Sequence, residues 1–270
     1  MNDPDVKLLI LIVLAAGLAG ALWYFRDDIL PPADEPVVIQ PEPVVEDVAA
    51  QNDPIHPIIP SRSSGSFDGE LVPLPPLDDS DSYFLLALID IFGADVEHML
   101  VDEALIDKFV TTVDNLPRAH VTEKIRPVGR LSTAFGVDAA GNDGQFYLNP
   151  DNYERYDLLV NLVAGTDLEV IASMYRRFYP LFQESYARLG YPDGYFNDRV
   201  VEVIDHLLMT PEPDEPIRLV QPHVLYEFAD ADLEALSSGQ KLLLRMGGKH
   251  AAKIKRVLQG LRALISRPPG

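Results

Sequence analysis

Residues 166–190 read TDLEVIASMYRRFYPLFQESYARLG, and this stretch determines the fold class. Its apolar residues recur every three or four positions, which is the spacing of an amphipathic helix packed on a core. Thr166 and Glu169 have the form of a capping box at the start of a helix, and Gly190 suits its end. Pro180 is predicted to kink or split this helix because proline lacks a backbone N–H.

The sequence on both sides of this stretch is also mostly helical in its pattern. Further helices are predicted at about 83–92, 105–116, 149–165, 198–209, 230–246 and 249–265. Residues 135–147 are consistent with a small hairpin, and residues 217–228 read as extended. We therefore predict a mainly α fold, a multi-helical single globular domain over residues 80–270 with at most a small β-hairpin.

An apolar run near the amino terminus predicts a transmembrane helix that precedes this domain. Residues 8–25, LLILIVLAAGLAGALWYF, contain no charge and would span about 27 Å as a helix. A signal peptide is the alternative, since Ala19-Gly20-Ala21 resembles a cleavage site, but the apolar run continues past it. We expect residues 1–26 to be an uncleaved tail and anchor.

The short amino-terminal tail favours one orientation of this anchor. Such tails normally stay in the cytoplasm, so we expect a single-pass protein of the inner (cytoplasmic) membrane with its carboxy-terminal domain in the periplasm. Within Leu8–Phe25, Ala16 lies four positions before Gly20, a spacing that can let two helices form a homodimer. Small residues are also common in anchors, which leaves both interpretations open.

Residues 27–79 are predicted to be a disordered, proline-rich acidic linker. These 53 positions contain 11 prolines and 12 acidic residues, with one basic residue, Arg62, and one aromatic residue, Phe67. A segment of this composition buries too little apolar surface to offset the entropy of ordering.

Composition narrows the function classes. The formal net charge of −20 argues against a nucleic-acid binder, and the absence of cysteine excludes disulfides and thiolate chemistry. From Ser237 to Gly270, however, there are eight Lys or Arg residues and no acid. This basic end either pairs with the acidic body of the domain or binds an anionic surface or an envelope protein. The candidate residues there are Lys241, Arg245, Lys249, Lys253 and Arg256.

A second candidate for binding is a cluster of aromatic and arginine residues around the central helix. Rings with guanidinium groups can line a site for a sugar or an anion. The alternative is that half of these rings belong to the core. The candidate residues are Tyr175, Arg176, Tyr179, Tyr186 and Tyr191.

Motifs for catalysis or for metal binding are weak. Ser238-Gly239-Gln240-Lys241 has the Ser-x-x-Lys form, but the companion motifs of penicillin-recognising enzymes are absent, and Ser237 or Ser238 more simply caps or interrupts a helix. The acidic and amide residues between Asp138 and Asp151 lack the spacing of a calcium loop, and turn or cap chemistry accounts for them. We predict no catalytic residue, no metal site and no cofactor.

From about Leu77 onward the chain resembles a bacterial membrane-anchored family of uncharacterised proteins, domain of unknown function 3014. The resemblance implies an anchor, a proline-rich linker and a helical domain, and it brings no activity. The residues that carry it are Phe109-Val110, Val113-Asp114-Asn115-Leu116-Pro117, Ile125-Arg126-Pro127, Arg155-Tyr156-Asp157, Tyr179-Pro180-Leu181-Phe182, Leu189-Gly190-Tyr191, Gln240-Lys241 and Leu244-Arg245-Met246-Gly247.

Together these features predict a membrane-tethered envelope domain that acts as a binding or scaffold module. The alternative is an envelope enzyme, hydrolase-like, whose site is not recognisable from the sequence.

Overall fold

The computed structural model of the chain describes residues 53–58, 73–101, 103–120, 127, 136–140, 145–213, 216–222 and 226–266. The predicted anchor, Leu8–Phe25, lies outside the described residues. Within those residues no single helix is both long enough and apolar enough to cross a membrane. The consecutive helices Asp157–Ala164 and Leu168–Arg188 reach that length and apolarity only when taken together, and their axes are bent by 91°.

The described part of the chain is mainly helical, as predicted. Two 3-10 segments, Leu77–Asp79 and Ala94–Met99, flank the first helix. The α-helices are α1 Asp81–Phe92, α2 Leu105–Asn115, α3 Asp151–Glu154, α4 Asp157–Ala164, α5 Leu168–Arg188, α6 Phe196–Leu208, α7 Ala231–Glu234, α8 Ser238–Arg245 and α9 Gly248–Ile265.

Helix α5 forms where the sequence predicts it, but its first turn is capped differently. Asp167 is the N-cap, and its carboxylate accepts a hydrogen bond from Glu169 N at 2.9 Å. Thr166, the predicted capping residue, donates its hydroxyl to Leu162 O at the end of α4. The helix runs through Pro180 without splitting, and it ends before Gly190, whose φ of +115° suits glycine.

The main core surrounds α5. Phe182 is fully buried at the centre of a group of rings. The distances between ring centroids are 5.1 Å to Phe109, 5.6 Å to Tyr175 and 6.0 Å to Phe196. Helix α9 packs on α4, α5, α6 and α8, so the carboxy-terminal segment belongs to the body of the fold.

A four-stranded antiparallel sheet forms a second layer, in the order β1 Val137–Ala140, β2 Gln145–Leu148, β3 Arg218–Val220 and β4 Glu227–Phe228. The prediction of at most a small hairpin is therefore wrong. The hairpin exists, but Phe146 pairs with Leu219, which joins it to the extended segment more than 70 positions later. This sheet encloses a smaller core that includes Leu148, Phe228 and Leu244.

Two of the predicted long helices are divided. The one expected over residues 149–165 breaks between α3 and α4, and the one expected over residues 230–246 breaks between α7 and α8. At the second break Ser237 and Gln240 form a reciprocal capping box that starts α8. The prediction that Ser237 or Ser238 caps or interrupts a helix is thus confirmed.

Residues 53–58, which the sequence places in the linker, lie against the start of α6; we call them the strap. Asp198 accepts hydrogen bonds from Ile55 N at 2.9 Å and from His56 N at 2.7 Å. Exposure alternates along the strap, and the half-buried Ile58 contacts the main core.

Candidate binding surface

Three of the four predicted binding tyrosines lie in the core. Tyr175, Tyr179 and Tyr186 are less than a tenth exposed, and burial raises the pKa of Tyr179 and of Tyr186 to about 12. The hydroxyl of Tyr175 donates to Asn197 Oδ1 at 3.1 Å, and that of Tyr179 donates to Gln183 Oε1 at 3.0 Å. These rings hold α5 against the start of α6.

Tyr191 is the predicted ring that reaches solvent. It is 37% exposed, and its ring stacks on that of Tyr186 at 4.7 Å between centroids. The neighbouring Leu189 is 38% exposed. The loop that carries both residues is held at its far end, where Gln183 donates its side-chain amide to Gly194 O at 2.8 Å. An exposed tyrosine and an exposed leucine therefore sit on a braced loop.

The buried carboxylate of Asp114 lies next to the loop that carries Tyr191. Asp114, 2% exposed at the end of α2, accepts from Arg199 Nε at 2.9 Å and from Arg118 at 3.0 Å. The hydroxyl of Tyr191 lies 3.5 Å from Asp114 and 3.4 Å from Arg118. Arg199 also pairs with Glu202. This cluster connects α2, α6 and the loop.

Arg176 joins helices rather than lining an open groove. Its guanidinium donates to Leu264 O near the end of α9 at 3.1 Å. It therefore ties α5 to the last helix.

At the basic end, Lys241 and Arg245 are buried at the boundary between the helices and the sheet. Lys241 pairs with Glu234 at 2.7 Å, and the Arg245 guanidinium lies 5.5 Å from the centre of the Phe228 ring. Burial lowers the pKa of Arg245, whereas the nearby Tyr156 and Glu234 raise it by a smaller amount. Both side chains serve internal contacts.

The last helix divides its basic residues between internal contacts and solvent. Lys255 pairs with Glu212 at 2.8 Å, and Arg262 is bidentate to Asp205. Lys253 donates to Asn161 at 3.0 Å. The two remaining candidates, Lys249 and Arg256, are exposed.

The Ser-x-x-Lys motif has a packing role in this fold. Ser238 is fully buried and donates its hydroxyl to Leu116 O at 3.2 Å. Gly239 N donates to the same carbonyl at 3.0 Å, and a Cβ at Gly239 would lie 2.7 Å from a Leu207 methyl group. The glycine allows α8 to approach the end of α2 closely.

A serine–histidine pair lies beside this contact. His206 Nε2 is 2.8 Å from Ser237 Oγ, which also accepts from Gln240 N at the start of α8. Burial lowers the pKa of His206, and Arg199 lowers it further while Glu202 raises it.

This lowered pKa predicts how stability depends on pH. The folded state favours neutral His206, so its contribution to stability is present above the ordinary pKa of 6.5 and is lost as pH falls through the folded value. We expect wild type to lose more stability than His206→Gln between about pH 7.5 and about pH 5, measured by urea melts. Equal losses would show that His206 does not contribute.

The described residues contain no group of three or more His, Cys, Asp or Glu side chains that could hold a metal ion. Of the acidic and amide residues considered for calcium, Asn149 donates to Asp138 and accepts from Asp151 N. Turn and cap contacts therefore account for these three, whereas Asn142 and Asp143 lie outside the described residues.

Sequence reasoning did not single out Arg199, Asp198 and Asn197 as a functional group. Asp198 carries only the general signal of an acid in the first turn of a helix. Asp114 lies in one of the motifs that carry the family resemblance, but no local pattern predicts its pairing with Arg199, 85 positions away.

No curated protein and no solved structure matches the chain. Residues 105–262, more than half of the chain, match the model of a family described as "Protein of unknown function (DUF3014)". This matched region includes the braced loop, Asp114 and most of α9. The chain belongs to the DUF3014 family.

Proposed function

We propose that this protein is a membrane-tethered, protein-binding module of the bacterial envelope. Residues 8–25 serve as the anchor in the cytoplasmic membrane, and residues 27–52 link this anchor to the helical domain. The domain binds its partner in the periplasm. The loop of Leu189 and Tyr191 forms the centre of the binding face.

The observation that carries this proposal is the exposed, braced Tyr191. Tyrosine and arginine dominate the binding energy of many interfaces, and Arg118 adjoins this ring with 56% of its side chain exposed. Because Tyr191 stacks on a buried ring, little conformational freedom remains to be lost when a partner binds.

The enzyme alternative has its best-placed groups in Ser237 and His206. In the proposed module their hydrogen bond serves the cap of α8, a role supported by the bond from Gln240 N to the same hydroxyl. Ser237 is 7% exposed, which favours this structural role.

The test is photo-crosslinking in cells with the full chain. A photoreactive amino acid at position 189 is expected to yield a specific protein adduct. Tyr191→Ala should weaken partner binding about 30-fold, as for a hot-spot tyrosine, and abolish the adduct. Tyr191→Phe keeps the stacked ring and should retain most of the adduct.

The matched control places the photoreactive group at Leu158, a 54% exposed leucine on α4. No equivalent adduct is expected there. The same adduct from both positions, or an adduct at 189 that persists in Tyr191→Ala, would refute the binding face.

A further inference from the structure

The strap is held through its backbone. Asp198 receives two consecutive backbone N–H groups, those of Ile55 and His56, while Asn197 donates its side-chain amide to His56 O at 2.7 Å. Three main-chain groups are thus bound by two side chains in the first turn of α6. Only Ile58 adds a clear apolar contact with the main core.

Asn197, one of the two residues that bind the strap, is also held in place by contacts within the domain. Asn197 is fully buried, accepts from the Tyr175 hydroxyl and donates to Ile265 O at 3.0 Å. Its orientation is therefore set by α5 and α9 as well as by the strap. A side chain held in this way forms a site that exists before its ligand arrives.

The strap has the features of an exchangeable peptide ligand. Within the strap, Pro54 and Pro57 flank the Ile55-His56 pair and restrict the unbound chain, and Ile55 is 78% exposed. Three hydrogen bonds and one isoleucine make a small contact, and covalent linkage compensates by giving an effective concentration in the millimolar range.

We propose that the first turn of α6, with Asn197 and Asp198, is a binding site for an extended, proline-flanked peptide. Its resident ligand is the strap of the same chain. Because recognition is through the main chain, the site selects two adjacent N–H groups and an apolar residue two positions after them.

The absence of cysteine allows a direct test in the full chain in detergent. A nitroxide on Ile55→Cys keeps the backbone N–H and reports strap mobility by electron paramagnetic resonance. We expect an immobilised spectrum in wild type, and a mobile one in Asp198→Ala because docking weakens about 10- to 100-fold. Asp193→Ala, which removes an exposed acid from the preceding loop, should remain immobilised.

Competition tests the ligand class. A synthetic peptide of residues 51–60, added at several times the effective concentration of about 1 mM, should mobilise the label. The same peptide N-methylated at its Ile55 and His56 positions should not. Ile58→Ser in the strap should mobilise the label without altering the domain, which covers the case that Asp198→Ala does not fold.

Three results would overturn the proposal. The first is a mobile label in wild type, and the second is an immobile label in Asp198→Ala that is folded. The third is immobilisation of labelled Asp198→Ala by an excess of unlabelled wild type, which would mean that the site takes the strap of a second copy.

Discussion

Leu258→Asp is expected to destabilise the domain by about 4 kcal/mol or more, because it removes a buried apolar side chain and places a carboxylate in its position. Leu258 is 2% exposed and lies in the main core. It sits on the face of α9 that contacts the other helices.

The comparison variant changes Lys253, Lys255 and Arg256 to Gln together. Their partners are Asn161, Thr210 O with Glu212, and Ala252 O. Asn161, Glu212 and Ala252 are exposed, whereas Thr210 is buried. Exposed pairs contribute little, so the triple variant should lose less stability than Leu258→Asp. Urea melts of the full chain decide the order, and a less stable triple variant would show that polar contacts hold α9.

Asp114→Ala is expected to cost about 2–3 kcal/mol, because it removes the buried acceptor of the Arg199 guanidinium. Arg199 keeps a bond to the main-chain oxygen of residue 114 and its pair with Glu202. The loss should extend to the loop, so increased hydrogen exchange around Tyr191 is expected in the same variant.

Glu202→Gln is the matched control for this prediction, since it removes the other carboxylate that Arg199 contacts. The Glu202 side chain is 67% exposed, and we expect a change of at most about 1 kcal/mol. Equal losses in the two variants would contradict the view that burial makes Asp114 the dominant partner.

The elements with strong local signals were predictable. Apolar spacing located α5 and α9, and Gly190 marked the end of α5, because these features depend on residues within a few positions. The sheet was underestimated because Phe146 and Leu219 meet only through tertiary packing. Local patterns carry no information about that pairing.

The candidate binding residues also include some that local sequence could identify and some that depend on tertiary packing. Tyr191 could be proposed from residue type, but its difference from Tyr186 arises from the turn at Gly190, which places one ring outside the core. The basic end was expected to pair with the domain or with an external anion. Lys255 with Glu212 and Arg262 with Asp205 realise the internal pairing, while the external partner remains a prediction.

Docking of the strap would change how far the domain can travel from the predicted anchor. With the strap bound, 26 residues (27–52) separate the predicted anchor from the domain, a contour of at most about 90 Å. With the strap released, 46 residues (27–72) extend this limit to about 160 Å. The volume that the domain can search for a partner then grows roughly fivefold, and the local concentration of the domain near any fixed partner within the shorter reach falls in proportion. The pair of hydrogen bonds that Asp198 accepts from Ile55 N and His56 N would thus control the length of linker between the domain and the predicted anchor.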